Sequence, residues 1–275
     1  MTLPFDCPPA RTAARPVKQK ETATVNRPTL DNTIARWARA GIVFGARPSA
    51  RTPALERLLI DTARHAPDSA RLFNHVLAWL SQYDAFVARH RLKQLALTEL
   101  DDAARPVLGL LLDLAIDHGA SRTLNTAAKV CGRSDPPRPL FAVHAASSTR
   151  RGLAENTASA RSRARGLWAP DAAVRDDALR SAAWIVAKNP AFRERAIRKG
   201  DLRTTILETL RHDVAGGRLD SERELVERCG ANRPAVGASL NDLALEGVDL
   251  RTPHPADGRR TQIVLPGPDA TQTTP

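Results

Sequence analysis

Catalysis and metal binding need histidine, cysteine or carboxylate side chains at particular spacings, and this chain does not space them so. Its seven histidines (His65, His75, His90, His118, His144, His212 and His254) are scattered. No two of them form the i, i+4 pair that puts two ligands on one helix face. Cys7, Cys131 and Cys229 lie far apart with no C-x-x-C spacing. That argues against a zinc site or a disulfide framework and fits a reducing, cytoplasmic setting. Asp101-Asp102 and Asp176-Asp177 fall near expected helix starts, where carboxylates complement the helix dipole. There is no P-loop and no G-x-G-x-x-G stretch. The sequence predicts no enzyme, no catalytic residue, no bound metal and no cofactor.

Arginine remains as the side chain with something to bind. Lys and Arg number 41 against 30 Asp and Glu, a formal net charge of +11. Such a balance invites a nucleic acid or another acidic partner. Nearly all of the positive charge is arginine, a bias that a GC-rich genome also produces, so position matters more than total. Two positions stand out. Arginine is dense from Arg150 to Lys199, either as a clamp for phosphates or as an ordinary solvated face. Arg259 and Arg260 sit near the C-terminus between short apolar runs, where they can touch a phosphate backbone.

The elements that must hold these arginines come from the spacing of apolar residues. Leu202, Ile206, Leu207 and Leu210 mark one face of a helix. A second helix starts at Ser221, which can accept from the backbone N–H of residue 224 while Glu224 reaches back in a capping box. Gly230 permits the left-handed turn that ends it. Pro234 then sits in the first turn of a third helix, where its missing N–H costs nothing. That helix carries Val236, Leu240 and Leu243 and stops at Gly247. Val248–Arg251 and Thr261–Leu265 read as two strands of a hairpin, separated by a long loop with Pro253, Pro255, Asp257 and Gly258. Arg259 and Arg260 fall at its tip or on its second strand. The apolar set is complete within this stretch, which predicts that residues 200–266 fold alone.

Gly217 to Leu240, followed by Leu245-Glu-Gly247 and by Gly258-Arg-Arg-Thr-Gln-Ile-Val264, resembles the winged helix-turn-helix of GntR-type bacterial regulators. The likeness covers about a quarter of the chain and has several parts in the same order. It implies a DNA-binding module in which Arg223, Asn232 and Arg233 fall where that family touches DNA. Asn241, further along the third helix, would face the groove or solvent. Two positions depart from the pattern: Gly237 replaces a recognition-helix arginine and Arg260 replaces a wing glycine. The module is also C-terminal here. Within residues 202–265 there are nine arginines against ten carboxylates, so the module itself lacks a general basic field.

The remainder reads as helices. Hydrophobic residues make up 42% and aromatics 4%, with Ala and Leu abundant, which favours helix over sheet. Residues 1–30 are Pro-, Thr- and Arg-rich without period and predict a disordered basic tail. They lack an apolar core, so no signal peptide is expected. Residues 31–135 form a helical domain. Its segments are a short helix capped by Asp31, then helices beginning at Thr52-Pro53, at Asp68 or Ser69, at Tyr83, at Leu100 and at Ser121. Leu100–His118 is the most apolar and predicts a central position. Phe44-Gly45 with Arg51 is similar to the opening of small nucleotidyltransferases, but Ala46, Arg57 and Leu59 occupy positions where that chemistry needs a serine and carboxylates. Asp135-Pro-Pro-Arg-Pro139 marks a domain boundary. Residues 140–200 form an arginine-rich helical connector with a helix over 172–187. Residues 201–266 form the winged helix-turn-helix, and 267–275 a disordered tail. No stretch is long enough to span a bilayer, so a soluble protein without a membrane partner is expected.

The fold class is therefore mainly α, an N-terminal helical array followed by a C-terminal winged helix-turn-helix with a small β-hairpin wing. The expected function is transcriptional regulation in a bacterial cytoplasm, with double-stranded DNA as partner. The helical domain would serve a homodimer or sense a protein partner. The alternative is a non-catalytic, antitoxin-like or scaffold protein whose winged helix docks protein, since fold alone does not decide role.

Overall fold

A computed structural model describes residues 28–266 apart from 173 and 175, without the side chains of Asp176 and Arg259. The tails expected over 1–30 and 267–275 thus lie outside the described residues, save for residues 28–30, as does Cys7. The chain is mainly helical, with a small antiparallel sheet near the C-terminus. In order, the elements begin with α1 (Leu30–Arg39), α2 (Leu55–His65), α3 (Ala70–Tyr83), α4 (Arg89–Glu99), α5 (Arg105–Asp117) and α6 (Asn125–Ala128). Then come β1 (Arg138–Pro139), α7 (Ala142–Ala145), α8 (Ser148–Asn156), α9 (Ala160–Ala164), β2 (Leu167–Trp168), α10 (Ala182–Lys188) and α11 (Ala191–Ile197). The last are α12 (Leu202–His212), β3 (Arg218–Leu219), α13 (Glu222–Cys229), α14 (Arg233–Leu245), β4 (Arg251–His254) and β5 (Asp257–Val264).

Helix α5 is buried along nearly its whole length, from Pro106 to Ala115 except Asp113, and packs against α2, α3, α6 and α9. Its Leu-rich run has no polar face to leave in water, so neighbours must cover it all round. Two buried tryptophans belong to the same core. The Trp37 indole donates to Thr62 Oγ1 at 2.7 Å and that of Trp79 to the Ala40 carbonyl at 2.9 Å, so neither N–H is buried unsatisfied.

Several helix starts differ from the sequence reading. Thr29, not Asp31, caps α1, accepting from the Asn32 N–H. Asp31 instead lies in the first turn. Ser69 caps α3 as one of the two expected candidates. The helix expected from Tyr83 is delayed by a 3₁₀ turn at Asp84–Phe86, and α4 begins only at Arg89. The helix expected over 172–187 is interrupted as well. Residues 178–180 bond to the Gly41–Val43 strand-like segment, through Val43 N–H to Ala178 O at 2.7 Å and Arg180 N–H to Gly41 O at 2.8 Å. Ser181 then caps α10 by accepting from the Trp184 N–H. A tertiary bridge has overridden a local helical pattern.

The Asp135–Pro139 stretch does not interrupt the hydrophobic interior. One cluster of buried side chains runs from Trp37 through Leu140 and Leu167 to Phe192. Strands β1 and β2 pair in parallel, and Arg165 reaches back to Asp113 of α5 at 2.7 Å.

A second buried cluster joins α12, α13 and α14 through Ile206, Leu210, Leu225, Val236, Leu240 and Leu243, with Ile263 of β5. The sheet order is β3-β5-β4, all antiparallel. The sequence predicted two strands and a long loop. Instead the strands extend through the Pro/Gly region and only Pro255 and Ala256 separate them. Strand β3 is two residues long, too short to show alternation.

Helix α12 also packs on α4 of the larger body, and buried charges line that joint. Arg91 donates to Glu56 at 2.5 Å and to Asp213 at 2.7 Å; Arg195 donates to Glu56 at 2.7 Å and also to Glu208. Glu56, Arg91, Arg195 and Glu208 are all within 2% of full burial. Burial alone would raise the Glu208 carboxyl, but Arg195, His212 and Arg211 outweigh it and hold it far below the usual range. Glu56 is likewise lowered, with Arg195 and Arg91 overcoming its burial. Gly200 makes the close approach possible. Its φ is +60°, and a Cβ there would lie 1.9 Å from the Val87 carbonyl oxygen.

Candidate nucleic-acid interface

The turn between α13 and α14 is written in local chemistry. Ser221 Oγ accepts from the Glu224 N–H at 3.3 Å. The return half of the expected capping box is missing, because the Glu224 carboxylate takes Arg228 at 2.8 Å instead. Gly230 ends α13 at φ +60° with its N–H on the Val226 carbonyl. Ala231 alone separates it from Asn232, whose Oδ1 accepts from the Ala235 N–H at 2.9 Å and so caps α14. Pro234 occupies the first turn. One lone pair of the Asn232 oxygen thereby serves the helix, and its amide nitrogen gives no hydrogen bond to any described residue. Asn232→Ala is expected to lower stability by about 1 kcal/mol, whereas Asn232→Asp retains the cap. Urea unfolding of both variants checks this; equal losses would show that the cap is not what Asn232 supplies.

Arg233 is exposed and forms no hydrogen bond or ion pair with any described residue. Arg223, at 87% exposure, meets Glu227 at 3.1 Å. Arg260, at 78%, meets Asp257 at 3.3 Å. Such surface pairs are worth little and exchange readily for phosphate. The backbone of Arg259 lies in β5 beside Arg260, while its side chain lies outside the described residues. Asn241 is exposed two turns along α14, and its Oδ1 accepts from Arg251 Nη1 at 2.5 Å. The same guanidinium meets Glu222 at 3.4 Å and reaches the Gly237 carbonyl at 3.5 Å. The structure thus groups Asn241, Arg251, Glu222 and Gly237, while Arg223 and Arg260 pair with other carboxylates.

Arg251 was not singled out from the sequence. It closes an apolar run at the start of β4, and nothing in that run signals that its side chain reaches Asn241 and the Gly237 carbonyl of α14.

A cleft of about 650 Å³ separates the start of α14 from α4. Asn232, Ala238 and Asp242 face it from α14, and Arg89, His90 and Lys93 from α4. Burial, then the Arg89 and Lys93 charges, lower the proton affinity of His90.

The near-balance of charge in residues 202–265 changes once partners are assigned. Glu208 and Asp213 are neutralised by Arg195, Arg91 and Arg57, and Glu246 by Arg198 and Arg203. Four of these five arginines come from outside that stretch. The arginine-dense segment is therefore largely structural. Arg161 pairs with Asp117, Arg165 with Asp113, Arg195 and Arg198 as above, and Arg151 and Arg180 lie over Trp168 and Trp184. Arg150 and Arg193 remain exposed, and Arg175 lies outside the described residues.

Cys131 and Cys229 are buried free thiols, pushed by burial up to about 11 and about 12, which keeps both protonated near neutral pH. Phe44, in the turn similar to the opening of small nucleotidyltransferases, packs edge-on to His75 with Arg71 over its ring. Among the described residues no group of three or more His, Cys, Asp and Glu side chains could hold a metal ion. No described helix is long and apolar enough to cross a membrane. Comparison with protein-family models, with curated proteins and with solved structures found no match.

Proposed function

We propose that residues 201–266 are a winged helix-turn-helix that binds double-stranded DNA, and that the protein is a bacterial transcriptional regulator. In this reading α14 enters the major groove, α13 crosses above it and the β4–β5 hairpin is the wing. Arg233 carries the reading. It is a cation at the entrance of an exposed helix, held by no partner among the described residues and free to meet a base edge or phosphate. Arg223 and Arg260 supply phosphate contacts from the two flanks, with Arg259 next to Arg260. The cations of α4 across the cleft add attraction for the same strand. The helical body serves for dimerisation or partner sensing.

Binding of a random-sequence duplex to the full-length chain, followed across a salt series, tests the proposal. Phosphate contacts release counterions, so affinity should fall steeply with salt, and Arg223→Ala and Arg260→Ala should each flatten the log–log slope by roughly 0.9. Slopes that neither variant changes would remove these residues from the interface.

One observation favours a second reading, in which this module docks a protein. Leu245 at the end of α14 is 88% exposed, and Asp242 is exposed on the same helix. A leucine this exposed gains nothing from a phosphate backbone and can be buried against a protein partner. No affinity for any duplex at low salt would favour that reading.

A further inference from the structure

Helices α4 and α14 wall the cleft of about 650 Å³, a volume within the usual range of small-molecule sites. At the start of α4 the Arg89 guanidinium donates to the Lys199 carbonyl at 3.2 Å. Further along, Gln94 donates to the Glu227 carbonyl at 3.3 Å, and a Cβ on Gly230 would meet its amide nitrogen at 1.9 Å. Helix α4 therefore runs from the Lys199–Asp201 corner to the turn before α14. His90 and Lys93 lie between these ends, one turn apart, and both line the cleft. Neither side chain forms a hydrogen bond or ion pair with a described residue.

The charges around His90 are Arg89 and Lys93 of α4, Asp201 and Arg203 at the start of α12, and Asp242 of α14. The two carboxylates are offset by one guanidinium. Asp201 meets Arg203 at 2.6 Å and caps α12, and Asp242 lies in the field of Arg203, which also pairs with Glu246. Arg89 and Lys93 pair with no carboxylate among the described residues. From the opposite wall Asn232 brings an amide nitrogen that gives no hydrogen bond. Asn232 lies ten residues before Asp242, about 15 Å along the helix. The end of the cleft near Lys93 and Asn232 therefore holds donors and positive charge without a carboxylate.

We propose that this cleft is a phosphate-binding site, in which Lys93 and Arg89 hold the oxyanion, Asn232 donates its amide, and His90 joins them as a cation by taking up a proton. In the empty cleft, burial and the Arg89 and Lys93 charges keep His90 neutral, and Asp201 opposes them only in part. An oxyanion among these cations reverses the balance, because an opposite charge nearby favours the protonated ring. Anion and proton then bind cooperatively, each raising the affinity for the other by the same factor. A phosphorylated small molecule and a DNA strand beside α14 present the same chemistry, and only the second source rests on the DNA-binding reading above.

Histidine titration of the full-length protein by NMR, in sulfate and in chloride at equal ionic strength, tests the site. Sulfate is a tetrahedral dianion that does not itself titrate near neutral pH, and the His90 signal is the one that His90→Gln removes. The His90 midpoint should be higher in sulfate, and sulfate binding should tighten at least fivefold between about pH 8 and about pH 5.5. Lys93→Ala should raise the midpoint in chloride, because Lys93 lowers it, and should remove most of the further rise in sulfate. His90→Gln should still bind sulfate but without the pH dependence, and it serves as the second variant should Lys93→Ala unfold. Equal midpoints in the two salts overturn the site, as does a sulfate effect that survives Lys93→Ala in full. Replacing sulfate with a random-sequence duplex identifies the source. A raised His90 midpoint assigns the phosphate to the strand beside α14. An effect of sulfate without one of bound duplex assigns it to a small phosphorylated compound. A duplex that does not bind at all counts against the DNA-binding reading and leaves the sulfate result standing.

Discussion

Arg195→Met is expected to destabilise the folded protein by about 3–5 kcal/mol at neutral pH, the usual cost of removing one partner from a buried ion pair. Arg195 contacts both Glu56 and Glu208. Methionine fills much of the same volume, so the loss is of charge more than of packing. Glu56 would retain Arg91, but Glu208 would keep only Arg211 and His212 at its outer edge. The pH dependence gives the charge its signature. Glu56, Glu208 and Asp213 have folded-state affinities for protons below their unfolded values. Their contribution is present above the unfolded carboxylate range of about 4 and is lost as pH falls toward the depressed folded values. Without Arg195, burial dominates at Glu208 and favours its neutral form. The gap between wild type and variant should therefore narrow between about pH 7 and pH 4. Urea unfolding at several pH values checks both. A loss under about 1 kcal/mol, or a gap independent of pH, would mean that the joint is held by packing alone. The same joint bears on the expectation that residues 200–266 fold alone. Excised, that segment has a complete apolar cluster but loses the arginine that neutralises Glu208.

Arg233→Ala is expected to weaken binding to a selected duplex by about 1–3 kcal/mol and binding to random duplex by much less. The guanidinium stands at the entrance of α14 with nothing to hold it elsewhere among the described residues, so it can present a bidentate fork to guanine. Arg260 behaves otherwise. It lies on the second strand of the hairpin, and in the proposed DNA-binding reading its contact is to phosphate, which carries no base information. Arg260→Ala should therefore weaken both duplexes alike. Titrating each variant with both duplexes separates the two roles. If Arg233→Ala leaves the selected duplex unaffected, α14 is not reading DNA and protein docking becomes the better account.

Arg233 and Arg195 differ in how far the chain around them reveals their roles. Arg233 follows from neighbours in the chain, because Ser221, Gly230, Asn232 and Pro234 each act within three or four residues. Capping and left-handed turns depend on local geometry, so the helix–turn–helix order was legible without a tertiary structure. Helix α5 was legible for a similar reason, since a run of leucines with no polar face must be surrounded. Arg195 was visible only as one arginine among many in a dense segment. Its burial depends on Glu56, 139 residues away, and on Glu208. Arg251 was passed over because its partners lie on two other helices. Strand β3 exists through its pairing with β5, and α10 begins late because residues 178–180 are bonded to the Gly41–Val43 segment. The ends of α13 at Ser221 and Gly230, the apolar faces and the helical class are local properties and are legible in the chain. Tertiary structure decided which arginines are consumed in the interior and which face outward, because a guanidinium's role depends on the carboxylates brought to it from distant parts of the chain.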